Sequence, residues 1–115
     1  MQTLDARNEQ LKCWMREFRK LKQQADRAVA QVRPDDLFRT LDDEANSIAI
    51  LQKHIAGNMR SRWTNFLTAD GEKPDRNRDT EFILDDSETA DQIKQRWEAA
   101  WKLVFDELQA LRPED

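Results

Sequence analysis

Asn46–Asp79, NSIAILQKHIAGNMRSRWTNFLTADGEKPDRNRD, decides how this chain folds. Asn46 and Ser47 are both good helix N-caps, since their side-chain oxygens satisfy orphan backbone N–H groups. Behind them Ile48, Leu51, Ile55, Met59 and Phe66 recur at helical spacing. This stripe predicts a helix from about Asn46 or Ser47 to about Leu67. His54, the only histidine of the chain, sits in its middle. It falls roughly 60° from Leu51 and roughly 100° from Ile55, on the flank of the stripe. Gly57 follows within a turn, where it costs about 1 kcal/mol relative to alanine. It therefore suggests space for a ligand or for the close approach of another element. Beyond Arg60, Arg62 and Trp63 the chain enters a charged loop that turns at Asp70-Gly71.

Working outward, Leu4, Leu11, Trp14, Phe18, Leu21, Ala25, Ala28 and Val32 form a stripe of about seven turns. That first helix must end near Arg33, because Pro34 disfavours helix in the residue before it. Pro34–Phe38 reads as a short helical turn, with Leu37 and Phe38 plugging one end of a bundle. Asp42, Asp43 and Glu44 form a polar connection. Thr68–Ser87 is a long loop, of the kind that tends to be functional or mobile, pinned at its end by Phe82, Ile83 and Leu84. A third long helix starts near Ser87–Asp91 and ends before Pro113. Its apolar positions are Ile93, Trp97, Ala100, Trp101, Val104, Leu108 and Leu111. Helices joined by polar connections predict an all-α, up-down bundle with three main helices, in a single domain over residues 1–115.

Composition narrows the function. The 115 residues carry 19 basic and 23 acidic side chains, a net charge of −4. Nucleic-acid binding needs a positive field that displaces counterions from phosphates, and the acidic balance argues against it. One cysteine, Cys13, excludes an internal disulfide and a Cys-based zinc site. Cys13 has no His or Cys neighbour in sequence to activate it and reads as an idle thiol. The N-terminus lacks the apolar core of a signal peptide, and no apolar run approaches the ~18 residues needed to span a bilayer. The expected location is the cytoplasm. The carboxylates Asp35, Asp36, Asp42, Asp43 and Glu44 fit no calcium loop. Arg60, Arg62, Lys73, Arg76 and Arg78 carry two readings: an anion-binding end of the bundle, or surface pairing with Asp70, Glu72, Asp75 and Asp79. His54 alone is more often a hydrogen-bonded residue than a ligand. A catalytic metal site takes about three protein ligands, and no HxxxH, HxxE or ExxH pair accompanies it.

The QKHIAGN motif and the NMRSRW…DGEKPDRNRD pattern resemble one branch of the DinB/YfiT-like superfamily, over nearly the whole chain. The resemblance implies a four-helix bundle in which a histidine of the second helix joins two histidines of the fourth to hold zinc or nickel. His54 matches the second-helix ligand. The other two have no counterpart before Asp115, so the resemblance implies a domain lacking its last helix. It further implies metal-dependent chemistry on a small molecule, since some members are thiol transferases or thiol-dependent hydrolases. The metal would activate a thiol or water, with Arg60 and Arg62 orienting an anionic group.

The rival expectation is a non-catalytic interaction module. Three helices leave apolar surface uncovered, expected at Ile48, Ile50, Leu51, Ile55, Trp63, Trp97, Trp101 and Phe105. Such a face favours a symmetric homodimer.

Overall fold

The computed structural model describes residues 4–42, 45–68, 73, 78–82, 84 and 87–112. All its regular elements are helical: α1 Leu4–Ala30, a 3-10 turn Pro34–Phe38, α2 Ile48–Trp63, the short α3 Arg78–Glu81, and α4 Ala90–Ala110. The chain is an all-α bundle, as its periodicity predicts. Ser47 caps α2 by accepting from the Ile50 backbone N–H at 3.1 Å. Thr89 and Gln92 form a reciprocal capping box at the start of α4. Among the described residues no helix is long and apolar enough to cross a membrane.

The contacts fix the directions of the main helices. Near the start of α4, Ile93 packs with Ala49 of α2 and Leu37 of the 3-10 turn, and with Val29 and Val32 at the end of α1. Further along, Asp26 of α1 meets Trp97 and Phe18 meets Trp101. So α1 runs antiparallel to α4, while α2 runs parallel to it. The segment between α2 and α4 must therefore return along the length of the bundle, which explains its extent. The first pair of main helices is up-down, and the third repeats the direction of the second.

The core is built on α4, whose predicted stripe holds. Ile93, Trp97, Ala100, Trp101, Val104 and Leu108 are all buried. Trp97 and Trp101 are only 5% exposed, so they do not belong to an uncovered face. The first helix covers them: Phe18 lies edge-on to Trp101 at 6.5 Å, and Trp97 Nε1 donates to Asp26 Oδ1 at 2.9 Å. Lys22 stands beside this pair, donating to Asp26 at 2.6 Å and to Glu98 at 3.2 Å. Partial burial disfavours the charge on Lys22, but Asp26 and Glu98 outweigh it and raise its pKa.

The second helix departs from its expected orientation. Its buried residues are Ala49, Gln52, Ala56 and Ser61, whereas Leu51 and Ile55 are 44% and 38% exposed. The α4 residues beside α2 are mostly small as well: Ala49 packs with Ile93, and Ala56 and Gly57 line one groove with Ala99 and Ala100. A small-residue face lets two backbones approach where bulky aliphatics would hold them apart. The helix also ends at Trp63, not near Leu67: Asn65 adopts φ 52° and Thr64 caps back to the Arg60 carbonyl. A left-handed Asn just past the last turn is a common helix stop. The expected stripe of α1 is rotated in the same way, leaving Trp14 and Leu21 exposed.

The molecule is open for its length. Its radius of gyration is 16.5 Å, against about 13 Å for a compact chain of this size.

Candidate functional site

His54 and its surroundings form the first part of the site. Its Nδ1 lies 3.0 Å from Glu81 Oε1. A carboxylate accepts and does not donate, so in the neutral ring Nδ1 carries the hydrogen and Nε2 keeps its lone pair. Phe82 stacks on the imidazole, with ring centroids 4.6 Å apart and planes 31° from parallel. Between them, Glu81 and Phe82 fix the orientation of the ring.

Glu81 reaches His54 across 27 positions of sequence. It is buried, at 7% exposure, and it belongs to the four-residue α3 within the expected loop. Gly57 makes this possible. A Cβ at residue 57 would overlap the Glu81 carboxylate, so the glycine provides for close approach of another element. Phe82 pins the loop to α2, and Leu84 packs against the core cluster. Ile83 lies outside the described residues. Nothing in the sequence marks Glu81, one of several acids in a charged loop. The one usable signal was a glycine one turn after a flanking histidine.

A groove of about 840 Å³ opens beside this pair, between α2 and α4. Lys53, Arg60, Lys73 and Arg96 line it, with Glu81 on the wall. Its small-residue lining is Ala56, Gly57, Ala99 and Ala100, followed by Leu103. The N-terminal end of the groove is organised by Glu88, which pairs with Lys53 at 2.9 Å and with Arg96 at 2.7 Å. At the other end Lys73 is anchored to the last turn of α2. Its backbone N–H donates to Ser61 Oγ at 3.2 Å, and its Nζ donates to the Ser61 carbonyl at 2.5 Å.

Of the residues singled out from sequence, the structure brings Arg60 and Lys73 to this groove. Arg62 is exposed on α2 and is not part of the lining. Arg76 lies outside the described residues, and so does the side chain of Arg78. Lys53, Glu81 and Arg96 join the site from positions that sequence did not mark. Cys13 is exposed on α1.

Among the described residues no three His, Cys, Asp or Glu side chains gather as a metal-binding group. They offer one imidazole and one carboxylate, short of the three donors of a catalytic site. A single copy therefore does not complete such a site from these residues.

Comparison with curated proteins gives no match, and comparison with solved structures gives none. The sequence does match a protein family over residues 5–115, nearly its full length, and the chain belongs to that family, described as Protein of unknown function (DUF1572).

Proposed function

We propose that this chain is a bundle of the DinB/YfiT-like type that binds a divalent metal, zinc or nickel, through His54 and acts on a small molecule. One observation carries the reading: the His54 imidazole is held by a buried carboxylate at 3.0 Å. Histidines that ligate metals commonly donate their other N–H to a carboxylate, which fixes the tautomer and raises ligand basicity. Glu81 takes that orienting role, and Nε2 is the ligating atom. The described residues supply this one imidazole ligand and its orienting carboxylate.

Titration of the protein with zinc or nickel tests this. Wild type binds the metal, His54→Ala abolishes binding, and Glu81→Ala weakens it by about 10–100-fold, the usual effect of losing an orienting partner. Undiminished binding by His54→Ala would end the metal reading.

A second reading has its own observation. Ile48, Leu51, Ile55 and Met59 follow one side of α2, and Leu51, Ile55 and the neighbouring Phe82 are exposed. An apolar stripe of this kind marks an interaction surface, and a symmetric homodimer would cover it. Sedimentation of wild type and Leu51→Glu at micromolar concentration separates the two readings. A metal-free dimer dispersed by Leu51→Glu is the signature of an interaction module.

A further inference from the structure

We propose that a second groove, between the end of α1, the 3-10 turn, α2 and the start of α4, binds a neutral small molecule through a cyclic amide, recognised by the side-chain amide of Gln52. His54 does not line this groove, and the inference does not rest on a metal there.

The buried amide is the first argument. Gln52 is 7% exposed and sits on the packed face of α2 between Ala49 and Ala56. A glutamine amide offers two N–H donors and a carbonyl acceptor, and such groups are bonded when buried. The Gln52 side chain makes no hydrogen bond to a described residue. Among the described residues Trp101 Nε1 is the side-chain polar atom that is both fully occluded and unbonded. The Gln52 amide therefore keeps access to open space, and the open space beside it is this groove. Packing alone gives no reason for an amide here, since its neighbours on the same face are alanines.

Shape is the second argument. The groove holds about 480 Å³, within the roughly 300–1,000 Å³ of small-molecule sites. Val29, Val32, Pro34 and Leu37 form one side, and Ala90 and Trp97 another. Trp97 Nε1 is committed to Asp26 at 2.9 Å, so the indole offers the groove carbon and no free donor. An apolar lining with one convergent polar group suits a ligand that is mostly apolar and carries one polar edge.

Charge decides the class of that edge. Asp26 and Glu98 line the groove, but Lys22 pairs with them at 2.6 and 3.1 Å. Asp91 and Lys94, also in the lining, are of opposite sign and lie one turn apart on the exposed side of α4. This balance calls for neither a cation nor an anion. Gln52 is best satisfied by a neutral partner with a donor and an acceptor side by side, which it meets with two parallel hydrogen bonds. An open-chain secondary amide is trans and puts its N–H and C=O on opposite edges. A small ring holds the amide cis and brings both to one edge, which favours a cyclic amide over a peptide.

The experiment is titration of the full chain with ε-caprolactam, N-methylcaprolactam and cyclohexylamine, followed by proton–nitrogen correlation spectra. Caprolactam is expected to shift the Gln52 side-chain and Trp97 indole resonances. It should bind at least about ten-fold more tightly than the N-methyl form, which lacks the donor, or the amine, which is a cation. Gln52→Met should erase the preference over the N-methyl form. It should also raise the denaturant midpoint of the free protein, because an unpaired buried amide gives way to an apolar side chain. Ala30→Trp, on the groove wall, should abolish binding, whereas Ala99→Phe, in the α2–α4 groove, should leave it as in wild type. Circular dichroism checks that each variant remains helical, and the comparison of the three probes on wild type needs no variant. Equal binding of the N-methyl form would overturn recognition by the amide. Tighter binding of the amine would show that the carboxylates govern the site and overturn a neutral ligand. Loss of binding in Ala99→Phe would move the site to the other groove, and a lowered midpoint in Gln52→Met would mean that the amide is bonded within the fold. Either result, or no binding of any probe at millimolar concentration, would overturn the proposal. None of these results bears on zinc binding by His54, which is read separately.

Discussion

α4 and α2 lie side by side and obey opposite rules. In α4 the large apolar residues face inward and the sequence stripe is the packed stripe. In α2 the packed face is Ala49, Gln52, Ala56 and Ser61, while Leu51 and Ile55 look outward. The difference shows that an apolar stripe indicates a helix more surely than it indicates which face the helix buries. Where α4 presents Ala99 and Ala100, its neighbour gains more by approaching closely with Ala56 and Gly57 than by adding bulk. The approach also leaves a groove lined by small residues, and the outward rotation carries His54 to where a loop carboxylate can reach it.

The comparison breaks most readily at the tryptophans. Trp97→Ala removes a buried ring and the donor to Asp26, and should cost about 3–5 kcal/mol in denaturant melts. Leu51→Ala in α2 should cost under about 1 kcal/mol, because nearly half of that side chain is already in water. Equal losses at the two positions would mean that α2 buries its bulky face after all.

The next effect is at Gly57. Gly57→Ala gains about 1 kcal/mol of helix propensity but forces the Glu81 carboxylate off α2, at a cost of about 1–3 kcal/mol for overpacking. A net destabilisation is expected, together with a shift of the His54 ring resonances. A stabilised variant with unchanged His54 resonances would show that the glycine serves no close approach.

These two effects mark where the sequence was legible. The α1 helix, the stripe of α4, the Ser47 cap, the plug at Leu37 and Phe38, and the break at Pro34 depend on local chemistry, and local chemistry is written in order along the chain. His54 at the middle of α2 was legible for the same reason. The packed face of α2 was not, because it depends on which residues of α4, some forty positions later, lie against it. Glu81 was hidden for a similar reason. Its role is set by a loop that returns along the bundle, and Asp70, Glu72 and Asp79 had equal standing as neighbours of the basic residues. Lys53 and Arg96 carry no local signal, since only the side-by-side packing of α2 and α4 brings both to Glu88.

A smaller effect sharpens the picture of α4. Thr89→Ala removes half of the capping box and should cost about 1 kcal/mol. The loss should leave the His54–Glu81 contact intact, since the box lies within α4 itself. The smallest effect concerns pH. Asp26 and Glu98 raise the Lys22 pKa above its ordinary 10.5. The stability this contributes is fully present below that value and is lost as pH rises through the raised folded-state pKa. Lys22→Met should therefore unfold with a weaker dependence on pH in the alkaline range, as denaturant midpoints at successive pH values will show.

The most direct test of the whole account is the protonation pattern of the His54 ring. A long-range proton–nitrogen correlation spectrum of the protein above neutral pH reads it, the chain having a single histidine. The account predicts a ring protonated at Nδ1 with a free Nε2, reverting toward the free-histidine pattern in Glu81→Ala. A wild-type ring protonated at Nε2, indifferent to Glu81→Ala, would contradict it.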